Sequence, residues 1–298
     1  MDLTVKISGI EFRNPLILAS GILDEQGETM LRIAKAGAGG IVTKSIGMEE
    51  RAGYNNPTIV DLEHGLINAV GLANPGIKNF KEEIKMAKKG NVPVIGSIFG
   101  KVDEFPYLAK IMEDYGVDGV ELNLSCPHVK GYGSEIGQDP DAVEDVINDV
   151  KKSVNIPVFA KLTPNVTDIV EIAKSAGKAD ALVLINTVRA IAIDVYAKKP
   201  VLSNLIGGYS GPGIKPIGLR AVYDVRKEMD IPIIGVGGIL TWKDAVEYIL
   251  AGANAVQIGS GIYYRGLNIF KEILSGIEDY MIKENFSKIE DFSGLAVK

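Results

Sequence analysis

One unit recurs along this 298-residue chain: a short apolar run, a loop of glycine and polar residues, then an amphipathic segment that closes on Gly or Asp. The runs are Leu16–Ala19, Gly40–Thr43, Val92–Ile98, Gly119–Leu124, Pro157–Leu162, Ala181–Ile185, Ile231–Val236 and Ala255–Ile258. Short apolar runs bounded by turn residues predict strands buried in a core, and the segments between them carry helical spacing. Three junctions are nearly interchangeable: AGAGGIV at Ala36–Val42, YGVDGVEL at Tyr115–Leu122 and AGANAVQI at Ala251–Ile258. Each is a helix end with glycine at the cap, a tight turn, then a strand. Eight such units predict an α/β fold, a (β/α)8 barrel. A doubly wound open sheet is the competing architecture; the eightfold count and the N-terminal segment favour the barrel.

That N-terminal segment, Leu3 to Phe12, alternates about a Ser8-Gly9 turn and predicts a small β-hairpin covering one end of the barrel. Two strand-to-helix connections, Ser45 to Gly76 and Thr187 to Lys215, are too long for a plain barrel. Insertions of that length are usually functional, and in a barrel both would lie on the C-terminal face, where active sites are built. The length suits one domain spanning 1–298.

Apolar residues at 46% are enough for a full core, and 23% charged residues with a net charge of −6 argue against a nucleic-acid footprint or an anionic membrane partner. Cys126 is the single cysteine, so neither an internal disulfide nor a four-cysteine iron–sulfur cluster is expected from this chain alone, and no metal site is expected. The N-terminus lacks the basic-then-apolar order of a signal peptide, and no apolar run approaches the ~20 residues of a membrane span, so a cytoplasmic protein is expected.

The predicted strand ends deliver Ser20-Gly21, Lys44-Ser45, Asn123, Lys161, Asn186-Thr187, Gly237-Gly238 and Gly259-Ser260 to one rim. Any single lysine or asparagine there would pass for a solvated strand end; their agreement is the signal. The loops after strands seven and eight, GVGGIL and QIGSGI, match the place where barrels hold a phosphate on backbone N–H groups, although glycine turns also serve as plain turns. Cys126 follows the fourth strand in GVELNLSCPHVKGYG. A lone cysteine is most often a small buried hydrophobe, but this one lies where a strand gives way to a glycine-rich stretch.

ASG at Ala19–Gly21, TKS at Thr43–Ser45, NAVGLANPG at Asn68–Gly76, ELNLSCP at Glu121–Pro127, AKLTPNVTDI at Ala160–Ile169, INT at Ile185–Thr187, GGYSGPGIKP at Gly207–Pro216 and GVGGI at Gly235–Ile239 together resemble class 1 dihydroorotate dehydrogenases, nearly end to end. VKGYG and IDVYAKKPVLSN resemble the B-type catalytic subunit. The resemblance implies an FMN barrel that oxidises dihydroorotate to orotate in pyrimidine synthesis. It assigns FMN to Ser20, Lys44, Ser45, Asn123, Lys161, Ile185, Gly211, Gly237, Gly238, Gly259 and Ser260. The pyrimidine falls to Lys44, Asn68, Ala69, Val70, Gly71, Leu72, Asn123, Asn186 and Thr187, and Cys126 becomes the base.

The chemistry needs a base for the C5 proton and an acceptor for the C6 hydride, which suits a thiolate on one side and a flavin on the other. B-type resemblance further implies a homodimer core within a heterotetramer, with an electron-transfer subunit carrying FAD and a [2Fe–2S] cluster and passing electrons to NAD⁺. His128 and Ser97 stand where the family usually has asparagine. With CPH, GQDP and LTPNVTDI they also resemble the pyrimidine-reducing domain of dihydropyrimidine dehydrogenase. An A-type enzyme using fumarate and a non-catalytic flavin-binding subunit are compatible with the same barrel.

Overall fold

The structure is a computed structural model and describes residues 1–124 and 136–297. The expected strands form Leu16–Leu18, Gly40–Val42, Val94–Ile98, Gly119–Asn123, Val158–Leu162, Ala181–Leu184, Ile233–Val236 and Ala255–Ile258, closed into a barrel in chain order. Strand eight pairs in parallel with strand one, Val256 opposite Leu16, which excludes the open sheet. Helices follow the strands, and each buries an apolar stripe against them. In Pro140–Ser153 that stripe is Val143, Val146, Ile147 and Val150, and the helix starts where Asp139 accepts the N–H groups of Asp141 and Ala142. Each such valine or isoleucine, fully buried, contributes about 1.5–3 kcal/mol.

Strands three, five and seven start one or two residues later than their apolar runs because proline has no N–H to give the ladder, and the other five start where the runs do. Strands one, three, five and seven follow Pro15, Pro93, Pro157 and Pro232. Each of those carbonyls still accepts from the neighbouring even strand: Val256, Ile41, Val120 and Leu182 donate at 2.8–2.9 Å. The first N–H of each odd strand is taken by an Asx side chain, Leu16 by Asn14, Val94 by Asp118, Val158 by Asp180 and Ile233 by Asn254. Basic residues from the flanking helices hold three of these in turn: Lys88 on Asp118, Lys151 on Asp180 and Arg226 on Asn254. One clamp thus recurs around the N-terminal end of the barrel.

The predicted hairpin, Val5–Ile7 with Ile10–Phe12, closes that same end. Ser8 and Gly9 both have positive φ, the geometry of a tight two-residue hairpin turn. Ile10 and Phe12 pack over Gly119 and Gly40, the first residues of strands four and two, where a Cβ would meet their side chains.

The two insertions pair with each other, which their separate sequences did not announce. Ile59–Leu62, Gly65–Asn68, Gly207–Ser210 and Val188–Ala190 form one antiparallel sheet, with Gly208 opposite Asn68. Each half pairs within its own insertion, but the strands that join the halves lie about 140 residues apart in the chain, so neither insertion announces the other.

Candidate active site

At the C-terminal ends of the strands, beside the inserted sheet, lies a cavity of about 360 Å³. That size falls within the range of small-molecule sites. Ser20, Lys44, Ser45, Asn123, Lys161, Ile185, Asn186, Thr187, Gly237, Gly238, Gly259 and Ser260 reach it from the barrel, and Asn68, Val70, Gly71, Leu72 and Gly211 from the insertions. Ala69 is not on its wall; it is buried in a small cluster with Ile67 and Leu202. Cys126 and His128 lie outside the described residues.

A hydrogen-bonded chain links the strand ends. Ser20 Oγ is 3.1 Å from Ser45 Oγ, Asn123 Nδ2 donates to Ser45 Oγ at 3.1 Å, and Asn186 Nδ2 donates to Asn123 Oδ1 at 3.2 Å. The Thr187 N–H closes it on Asn186 Oδ1 at 2.7 Å. Four strands thereby fix the faces their amides present. Ser97, which stands where the family usually has asparagine, is fully buried behind Ser45 at 2.8 Å and does not line the cavity.

The floor surrounds Lys161, an expected rim residue, with Glu121 and Gln257, which spacing alone did not single out. Lys161 Nζ stands 3.4 Å from Glu121 Oε1 and 3.4 Å from Gln257 Oε1, while Gln257 Nε2 donates to Glu121 Oε2 at 2.6 Å. All three are at least 95% buried. Their signal was present as a polar residue inside an apolar strand, in GVELN and AVQI. To one side Asp24 is buried, accepting the Gly21 N–H at 2.5 Å. Burial pushes its carboxyl above the ordinary range; the charge of Lys44 and the bond from Gly21 pull it back only in part.

At the other end the glycine loops divide their labour. Gly235 faces away from the cavity, against the ring of Tyr248, where a Cβ would collide. Tyr248 then donates to the carbonyls of Val236 and Gly237 at 3.2 and 2.8 Å, bracing the turn from behind. Burial, with Asp244 and Glu247 nearby, pushes that hydroxyl far above its ordinary pKa, so it stays a donor. Gly237 and Gly238 take φ of 128° and 70°, which side chains rarely adopt.

The residues present fit FMN. Among the described residues the N–H groups of Gly237, Gly238, Gly259 and Ser260 find no acceptor, although all line the cavity. A Cβ on Gly21 would meet nothing within 4 Å, and one on Gly259 only Ala19 at 3.5 Å, so both glycines leave room in the site rather than room for packing. Unpaired N–H groups at one end, apolar walls from Ala19, Ile22 and Ile185, and an ammonium on the floor suit a phosphate joined to a flat ring. Among the described residues no cluster of His, Cys, Asp and Glu could hold a metal ion, and no helix is long and apolar enough to cross a membrane.

A closed barrel with a ligand cavity at the C-terminal mouth, roofed by inserted strands, defines a class of barrel enzyme. The particular family follows from similarity: the chain belongs to the dihydroorotate dehydrogenase family, whose model matches residues 2–281, and it is therefore an oxidoreductase. It is 58% identical over 298 residues to a protein of Thermoplasma acidophilum, covering 100% of this chain and 99% of the relative. It is 58% identical over 299 residues to one of Pyrococcus horikoshii, covering 99% and 98%. A Methanocaldococcus jannaschii relative is 54% identical over 301 residues, at 99% and 98%. All three are named dihydroorotate dehydrogenase B (NAD(+)), catalytic subunit, so the resemblance to the B-type is supported by these relatives.

Proposed function

We propose that residues 1–298 act as one FMN-binding domain that oxidises dihydroorotate to orotate, a step of pyrimidine synthesis. The observation that carries this reading is the lining of one cavity: Gly237, Gly238, Gly259 and Ser260 from the loops after strands seven and eight, with Lys44, Asn123 and Asn186 from strands two, four and six and Asn68 from the inserted sheet. Bound FMN would supply the two-electron acceptor. Its phosphate would be held by the four free N–H groups and its ring by Ser20, Lys44, Ser45, Asn123, Lys161, Ile185 and Gly211.

The substrate is a ring of amide edges with one carboxylate. Asn68, Asn123 and Asn186 each offer both a donor and an acceptor for such edges, and Lys44 answers the negative charge. The backbone from Ala69 to Leu72 and Thr187 complete the substrate side. Cys126, two positions beyond Leu124 in sequence, takes the proton from C5 as its thiolate. Removing that proton and the hydrogen at C6 with its electron pair leaves the C5–C6 double bond of orotate. The interlocked amides hold the ring in one pose while this happens.

The relatives' name, a catalytic subunit with NAD(+), supports a second subunit and NAD⁺ as the final acceptor. We place FAD and a [2Fe–2S] cluster on that partner, bound to a dimer of this chain, because one cysteine cannot hold a cluster. The experiment adds dihydroorotate, uracil or dihydrouracil anaerobically to the yellow protein and follows the flavin band. Bleaching by dihydroorotate alone is expected. Bleaching by dihydrouracil instead points to the dihydropyrimidine reading, and none at all to a non-catalytic flavin subunit. Rapid fumarate reduction by the isolated chain would move it to the A-type.

A further inference from the structure

The three-residue ring under the cavity is arranged in a way that a simple buried ion pair is not. Lys88 and Asp118, at the other end of the barrel, close to 2.7 Å. Lys161 and Glu121, far more deeply buried, stay at 3.4 Å. Low dielectric strengthens attraction between buried charges, so something must hold this pair apart. Gln257 does so: its amide N–H takes one carboxylate oxygen of Glu121 at 2.6 Å, and its amide oxygen draws the ammonium at 3.4 Å. The reverse orientation would set NH₂ against NH₃⁺ and oxygen against carboxylate, so the cycle runs one way.

An ammonium has three donors, and two are spoken for. Lys161 and Gln257 line the cavity while Glu121 does not, so the charge stands forward with its counter-ion behind it. Asp24 is the next buried carboxylate, and its charge also acts on Lys161.

We infer that Glu121 and Gln257 are positioning residues that aim Lys161 into the cavity and set how readily a flavin bound there accepts electrons. The inference rests on the FMN reading of the cavity. A flavin that takes up two electrons and one proton ends one unit more negative, so a cation on the cavity floor favours the reduced form. Glu121 damps that cation, and Gln257 keeps the carboxylate from drawing it back.

The test is a spectroelectrochemical titration of the FMN-loaded chain. Glu121→Gln keeps the shape and removes the damping charge, and should raise the equilibrium constant for reduction about tenfold, which is about 30 mV for two electrons. Gln257→Met frees Glu121 to pull Lys161 back, and should lower that constant about threefold. The second shift should vanish in a Lys161→Met background, because it acts through the ammonium. An unchanged or lowered potential in Glu121→Gln overturns the inference. If that variant does not fold, an unchanged or raised potential in Gln257→Met does so, as does a Gln257→Met shift that persists without Lys161. Wild-type chain that folds but takes up no flavin overturns the proposed function, and this inference with it. Flavin bound at unshifted potentials overturns the inference alone.

Discussion

The two ends of the barrel are built from the same strands on opposite principles. At the N-terminal end one device repeats: proline carbonyl to the even strand, Asx side chain to the odd strand's first N–H. At the C-terminal end the described strands finish on different groups, with serine or lysine after one and two, asparagine at four and six and glycine loops after seven and eight. Among the described residues there, four N–H groups lack acceptors, Asp24 is buried above its ordinary pKa, and Lys161 is held short of its partner. One end satisfies its polar groups and the other keeps them in reserve for a ligand. Variants at the N-terminal end should therefore cost stability and spare the site, whereas variants at the C-terminal end should move ligand binding and catalysis while leaving stability unchanged or, where a strained group is relieved, raised.

The largest effect is expected at Cys126, which follows strand four in the sequence. Cys126→Ala should slow flavin reduction by dihydroorotate about 10²- to 10⁴-fold, the usual contribution of a general base, with orotate binding and unfolding midpoint unchanged. Cys126→Ser should stay slowly active and need higher pH, since a free thiol titrates near ~8.5 and a hydroxyl far higher. Stopped-flow reduction across pH reads both; an alanine variant of full speed removes Cys126 from the reaction.

Asp118→Ala makes the opposite cut. It strips the acceptor from the Val94 N–H and the partner from Lys88, which should cost about 2 kcal/mol in urea unfolding. Flavin content of the folded protein should be unchanged. Lost flavin at full stability would mean that the two ends are not independent.

Gly259→Ala sharpens the contrast at the cradle itself. Its methyl has open space and an ordinary backbone, so stability should stay within about 0.5 kcal/mol. Flavin affinity should fall about tenfold, about 1.4 kcal/mol, because the methyl occupies ligand volume. Equal affinity in the variant, measured by fluorescence titration, would place the phosphate elsewhere.

The smallest effect is on pH dependence. With its folded pKa raised, Asp24 contributes its stability when neutral, below the ordinary value of ~3.9, and that contribution is lost as pH rises through the raised value. Asp24→Asn should match the wild type near pH 4 and exceed it by roughly 1 kcal/mol at pH 7.5. Unfolding curves at the two pH values check the sign. Greater stability in the wild type at pH 7.5 would mean that Lys44 more than offsets the burial of the charge.

The barrel was legible in the chain because its signals are local. An apolar run, a capped helix and a glycine turn each lie within a dozen residues, and eight repeats admit little else. The rim residues were legible for the same reason, since a strand's end names the residue that reaches the mouth. What only the tertiary structure decided depends on distance in the chain. It paired Asn68 with Gly208, set Ser97 behind Ser45 and turned Gly235 toward Tyr248. It also brought Glu121, Lys161 and Gln257 together from strands four, five and eight. A strand alternates its faces every second residue, so sequence marks that Glu121 and Gln257 are odd residues within buried strands. Which charges face each other across a closed barrel depends on the register of eight strands at once, and no window of sequence contains it.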